Sequence, residues 1–140
     1  MKFSDFIKSG EVRKAKKDTN LAKSLLKTAK SDLIYFNNSK LDENSARKIV
    51  SNYYDILRSI LDAITALGGW KIYSHETFTY YLKEKKEDLL SIKFDRFRKI
   101  RNKINYYGKE IEVDEAKNLS EEIKKLVSTL INKYLSGLED

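Results

Sequence analysis

The sequence predicts an all-α protein, an up-and-down antiparallel bundle of about five helices, in a single domain spanning residues 1–140. Three observations lead there. The chain has no proline and only five glycines, and it is rich in Lys, Glu, Leu and Ile, so helix propensity is high throughout. Apolar residues recur at helical spacing in one short and five longer segments. No run alternates apolar and polar residues in the way a half-buried strand requires.

Phe3, Phe6 and Ile7 form a short apolar face that ends near Gly10. A basic connector follows, from Arg13 to Lys17. Asp18 is placed to cap a helix whose core face is Leu21, Leu25, Ala29, Leu33 and Phe36, and Asn37-Asn38-Ser39 ends it. Asp42 starts the next helix, with Leu41 and Ala46 at hydrophobic-staple spacing. That helix runs through Val50, Tyr53, Tyr54, Leu57, Ile60, Leu61 and Ile64 to Leu67, where Gly68-Gly69 stops it. A shorter helix begins at Ser74 and packs through Phe78, Tyr81 and Leu82. Another runs from about Leu89 to Tyr107 and stops at Gly108. Asp114 caps the last, which buries Leu119, Ile123, Leu126, Leu130, Tyr134 and Leu138.

Composition excludes several classes of function. One histidine and no cysteine argue against a zinc site, and neither a metal nor a cofactor is expected. There is no glycine-rich phosphate loop. No apolar run reaches the roughly 18 residues of a membrane span, and Met1-Lys2-Phe3-Ser4-Asp5 has no signal-peptide core, so a cytoplasmic protein is expected. A net charge of +7 and a pI near 9.4 suggest an anionic partner, although a Lys- and Glu-rich surface equally suits heat tolerance.

The basic excess is placed rather than spread. Residues 93–109 hold seven basic groups against one acidic, and residues 1–17 hold six against two. The rest of the chain is net acidic. Half of the six arginines, Arg96, Arg98 and Arg101, fall within six residues. On a helical wheel at about 100° per residue, with Phe97 at the origin, Leu90, Phe94, Ile100, Ile104 and Tyr107 lie within about 80° on either side. Arg101 falls inside that apolar arc, near 40°, while Asn105 borders it near 80° and Arg98 near 100°. Asn102 and Tyr106 follow round the helix.

A guanidinium stays charged and has five donors to satisfy, so burying it unpaired costs several kcal/mol. Arg101 must therefore meet an internal acid, face a cleft or lie between chains. Asp55 and Asp62 are the candidate acids. They share a helix face opposite the main apolar stripe, which favours an interchain groove over a pair within the chain. A structural ion pair, or an arginine stem lying along apolar neighbours, is the plainer alternative.

Arg101-Asn102, followed by three residues and Tyr106, resembles the motif of HEPN domains (higher eukaryotes and prokaryotes nucleotide-binding). The resemblance extends to Phe6-Ile7-Lys8-Ser9-Gly10-Glu11-Val12-Arg13, to Asp18 through Leu26, to Tyr53-Tyr54, to Ile72-Tyr73-Ser74-His75-Glu76 and to the run from Arg98 to Gly108. It implies a helical bundle that forms a homodimer with two arginine motifs in one cleft. It also implies RNA or nucleotide as ligand, and in many members metal-independent ribonuclease activity, in some cases as the toxin of a toxin–antitoxin pair. Arg98, Arg101, Asn102, Asn105 and Tyr106 would form the binding surface, with Arg101 and Tyr106 at the chemistry. Tyr106 stands where the family pattern has histidine. An unperturbed tyrosine, with a pKa of about 10, is a poor base near neutrality. The expectation is therefore an RNA- or nucleotide-binding protein whose ribonuclease activity is weak or degenerate. A non-catalytic module that pairs with a minimal nucleotidyltransferase antitoxin is the alternative, and a purely structural helical dimer is a third reading.

His75, the only histidine, reads as a helix-start residue with a structural hydrogen bond. It could serve the site only if the fold brings its turn beside Arg101. Trp70 reads as an anchor for the loop after the two glycines.

Overall fold

The computed structural model describes residues 1–138. Its elements in chain order are α1 (Phe3–Ser9), β1 (Val12–Lys14), α2 (Thr19–Asn37), α3 (Ala46–Leu67), β2 (Trp70–Ile72), α4 (His75–Glu84), α5 (Asp88–Tyr107) and α6 (Val113–Leu130). A π-helical turn (Ile131–Leu135) and a 3-10 turn (Ser136–Leu138) follow. The described chain is thus mostly helical, with one two-stranded sheet.

The centre is α3. Its stripe of Val50, Tyr53, Tyr54, Leu57, Ile60, Leu61 and Ile64 is fully buried, as the periodicity predicts. Helices α2, α5 and α6 pack on it, as does β2, while α4 packs on α5 and α1 on α4. Membrane spanning is not available to these helices, because none among the described residues is long and apolar enough.

The sheet corrects the strand-free expectation. β1 and β2 pair antiparallel, with Val12 opposite Ile72 and Lys14 opposite Trp70. Each strand has three residues, too few for an alternating pattern to be visible in the sequence. The first half of the basic connector is therefore an ordered strand. Gly69, with φ +80°, turns the chain from α3 into β2. Its carbonyl accepts from Ala15 N at 2.8 Å, and Tyr73 N donates to Glu11 O at 2.8 Å. These bonds fix the chain just before α4 begins. Trp70 does anchor this region, its ring edge-on to Phe3 at 5.2 Å.

Two helix starts move. Asp42 heads a turn rather than the helix: its Oδ1 accepts from Asn44 N and Ser45 N, and α3 begins at Ala46. Asp114 lies inside the first turn of α6, with Glu112 in the capping position. On α2 the buried row is Ala22, Leu26 and Ala29, while Leu21 is exposed. Small Ala22 and Ala29 let α2 lie close to α3, and that rotates Leu21 outward. Asp18 caps α2 as expected, accepting from Leu21 N at 3.0 Å. Tyr134 and Leu138 pack only partly against the core.

Candidate functional site

Helix α5 carries Arg98 and Arg101 on the side that faces α3. Phe94 and Phe97 bury beneath them and set the helix's rotation. Both arginines are mostly buried, with 16% and 19% of their side chains exposed. The guanidinium of Arg101 lies over the ring of Tyr54, 5.6 Å from its centroid. One of its terminal nitrogens reaches Asp55 Oδ1 at 3.4 Å. That pair is within the chain, which corrects the preference for an interchain acid. The stripe-opposed face of α3 turns towards α5 rather than away from the molecule.

The Arg101–Asp55 contact is long, and the Asp55 side chain is 43% exposed. It leaves most of the guanidinium's donors unused, and Arg101 Nε is buried with no hydrogen-bond partner. Arg98 is better satisfied, giving two hydrogen bonds, of 3.1 and 2.8 Å, to Asp95 Oδ1. Thr79 and Lys99 also bind Asp95. Burial pushes the Asp95 carboxyl up, but the bonds from Arg98 and Lys99 outweigh it and hold it below its ordinary value.

The fold adds residues that the α5 pattern does not contain. His75, first residue of α4, sits against α3. Its Nδ1 is 3.2 Å from the Tyr54 hydroxyl, and its Nε2 is 3.1 Å from Arg58 Nη1. Burial lowers the imidazole's pKa to about 4, with Arg58, Arg101 and Arg98 all adding to the effect. The first turn of a helix also disfavours an imidazolium. Burial holds the Tyr54 phenol well above its ordinary value, against the opposing pull of Arg101, Arg98 and Arg58. Arg58 Nε, like that of Arg101, is buried with no partner. Asp62, one turn beyond Arg58 on α3, is pushed up by burial to about 6 against the pull of Arg58.

So three guanidiniums, the single imidazole and a buried phenol converge where α3, α4 and α5 meet. Of the sequence-predicted residues, the structure brings Arg98 and Arg101 to this point. Asn102 is half-buried and Asn105 exposed on the following turn of α5. Tyr106 projects into solvent, 73% exposed, with no hydrogen bond among the described residues. Arg58 and Tyr54 were missed as site residues. A signal existed for Arg58, because it shares the polar face of α3 with Asp55 and Asp62. Tyr54 gave none, since it lies in the apolar stripe. Among the described residues no cluster of acids and histidine could hold a metal ion.

In comparisons with known proteins, no family model, curated protein or solved structure matches the chain.

Proposed function

We propose that the chain is a dimeric, cytoplasmic HEPN-type protein that binds RNA or a nucleotide through the cluster of Arg58, Arg98 and Arg101. One observation carries this reading: guanidiniums from two helices converge with fewer acceptors than their donors require. Two buried Nε groups have no partner. Buried polar groups are nearly always satisfied, and a phosphate offers several charged oxygens in the geometry that guanidinium recognises. Asn102 and Asn105 extend the surface along α5, and Tyr106 stands ready to stack on a base. A mostly helical chain with α2, α5 and α6 packed on α3 suits the antiparallel bundle that the HEPN resemblance implies. Binding of fluorescently labelled single-stranded RNA at low salt tests the reading. Arg101→Ala should weaken binding by more than about tenfold, the scale of one charge-assisted contact. A folded variant that binds like the wild type would remove the basis for it.

A further inference from the structure

We propose that the groove between α2 and α6 binds a small amphiphilic carboxylate, with an alkyl or single-ring body along the groove and its acidic head on Lys124.

The sequence of α2 opens this groove. The first half of the helix buries Ala22, Leu26 and Ala29, and the small alanines sit close on α3. The row continues with Leu33 and Phe36, which are bulkier and stay half-buried, with Phe36 against the ring of Tyr53 at 6.2 Å. Beside them a groove of about 520 Å³ separates α2 from α6. Leu33 and Ile34 form one wall, Val127 and Ile131 the other. Val127 and Ile131 are buried, while Ile34 is 67% exposed. Ile131 begins the π-helical turn that follows α6, and such turns are frequent at functional sites.

The dimensions select the occupant. The α2 wall runs from Lys30 to Asn37, about 12 Å at roughly 1.5 Å per residue. A volume of about 520 Å³ over that length is a channel about 7 Å across. An alkyl chain or one ring fits it. A helix, about 10–12 Å wide with its side chains, does not. The volume also falls in the range of small-ligand pockets, about 300–1,000 Å³.

Charge selects the head group. Lys30 and Lys124 line the groove beside Asn37 and Ser128, and none of the described lining residues is an acid. Lys124 is held in place. Its ammonium donates to Asn37 Oδ1 at 2.9 Å and to Glu121 Oε1 at 3.2 Å, and it lies 5.3 Å from the centroid of the Tyr53 ring. Glu121 itself does not line the groove. An ammonium has three N–H groups, so one is left to donate to a ligand carboxylate. Such a bond joins two ions and is roughly twice as strong as a neutral one. The apolar body covers Leu33, Ile34 and Ile131 and releases the water on them. A carboxylate therefore uses both features of the groove, whereas an alcohol or an amine of the same length uses only its walls.

The test uses full-length protein with ¹³C-labelled methyl groups on Ile, Leu and Val. It is titrated with decanoate, decylammonium and decanol, each below its aggregation threshold. Decanoate should shift the methyl signals of Leu33, Ile34, Val127 and Ile131 saturably. It should bind about tenfold more tightly than decylammonium, the scale of one charge-assisted contact. Ser128→Trp sets a ring in the groove from an exposed position and should abolish binding of all three probes. Lys124→Gln should weaken decanoate about tenfold and leave decanol unchanged, whereas a lysine needed only for packing would affect both alike. Circular dichroism verifies each fold, and if Lys124→Gln does not fold, the preference of the wild type for decanoate over decylammonium decides. The proposal is overturned by still groove methyls, by equal affinity for decanoate and decylammonium, or by wild-type binding in folded Ser128→Trp. Equal loss of decanoate and decanol in Lys124→Gln overturns it too. Groove signals that move with protein concentration, and that decanoate does not displace, would give the groove to a second copy of the chain and likewise overturn it.

Discussion

Arg58 and His75 lock each other: the guanidinium donates to Nε2 over 3.1 Å, and the ring has only one tautomer that can receive it. Neither residue lies in the basic run that dominates the sequence. They come together because the β1–β2 pairing and the Gly69 turn deliver the start of α4 to the polar face of α3.

This arrangement makes stability depend on pH in two opposed ways. His75 titrates at 6.5 when unfolded and at about 4 when folded, so the unfolded chain binds more protons between those values. Its contribution is fully present above 6.5 and is lost as pH falls towards 4. Asp62 is the reverse, moving from 3.8 unfolded to about 6 folded, so stability is lost as pH rises through that window. Asp62→Asn should therefore stabilise the protein at neutral pH, by about 1–2 kcal/mol after allowance for solvent screening. The gain should vanish near pH 4. Urea melts across the pH range check this, and an Asn variant no more stable than wild type at neutrality would contradict it.

RNA affinity should fall steeply with salt. Three phosphate contacts on a single strand correspond to a slope of about −2 in log K against log salt, and Arg98→Ala should make it shallower by about 0.7. Anisotropy titrations at several ionic strengths give the slope directly. An affinity indifferent to salt would mean that the arginine cluster is not the binding surface.

The chain should form a homodimer. Ile34 and Tyr35 on α2, and Leu89 and Ile92 on α5, are all more than half exposed, and they supply apolar surface for an interface. A standard interface buries on the order of 1,600 Å² in total. Light scattering at micromolar concentration should return twice the chain mass of 16.4 kDa, and a stable monomer would refute the expectation.

Phe94 underlies the site and the core together. It is wholly buried, stacked on Tyr54 and edge-on to Phe78 at 6.0 Å. Phe94→Ala should cost about 3–5 kcal/mol of stability, read as a lower urea midpoint at unchanged slope.

Helices were legible in the sequence because their periodicity is long and their stops are glycines. The apolar stripe of α3 and the Gly10, Gly68-Gly69 and Gly108 terminations stand where the pattern puts them. The strands were not legible, because three residues carry no period. Arg101 was legible as an anomaly, since a cation inside an apolar arc violates the pattern of its own helix. Its partner Asp55 was named but given to another chain, because a wheel of one helix does not say which neighbour covers its polar face. The approach of Arg58 and His75, 17 residues apart, depends on how α4 is set down on α3, and no local pattern encodes that.

The single histidine makes the most direct measurement simple. In protein labelled with ¹⁵N-histidine, the ring signals of His75 report the arginine cluster without assignment. Titration with the same labelled strand should move those signals and saturate at the dissociation constant found by anisotropy. A strand that binds while the His75 signals stay still would place the nucleic acid elsewhere on the protein and contradict the proposed site.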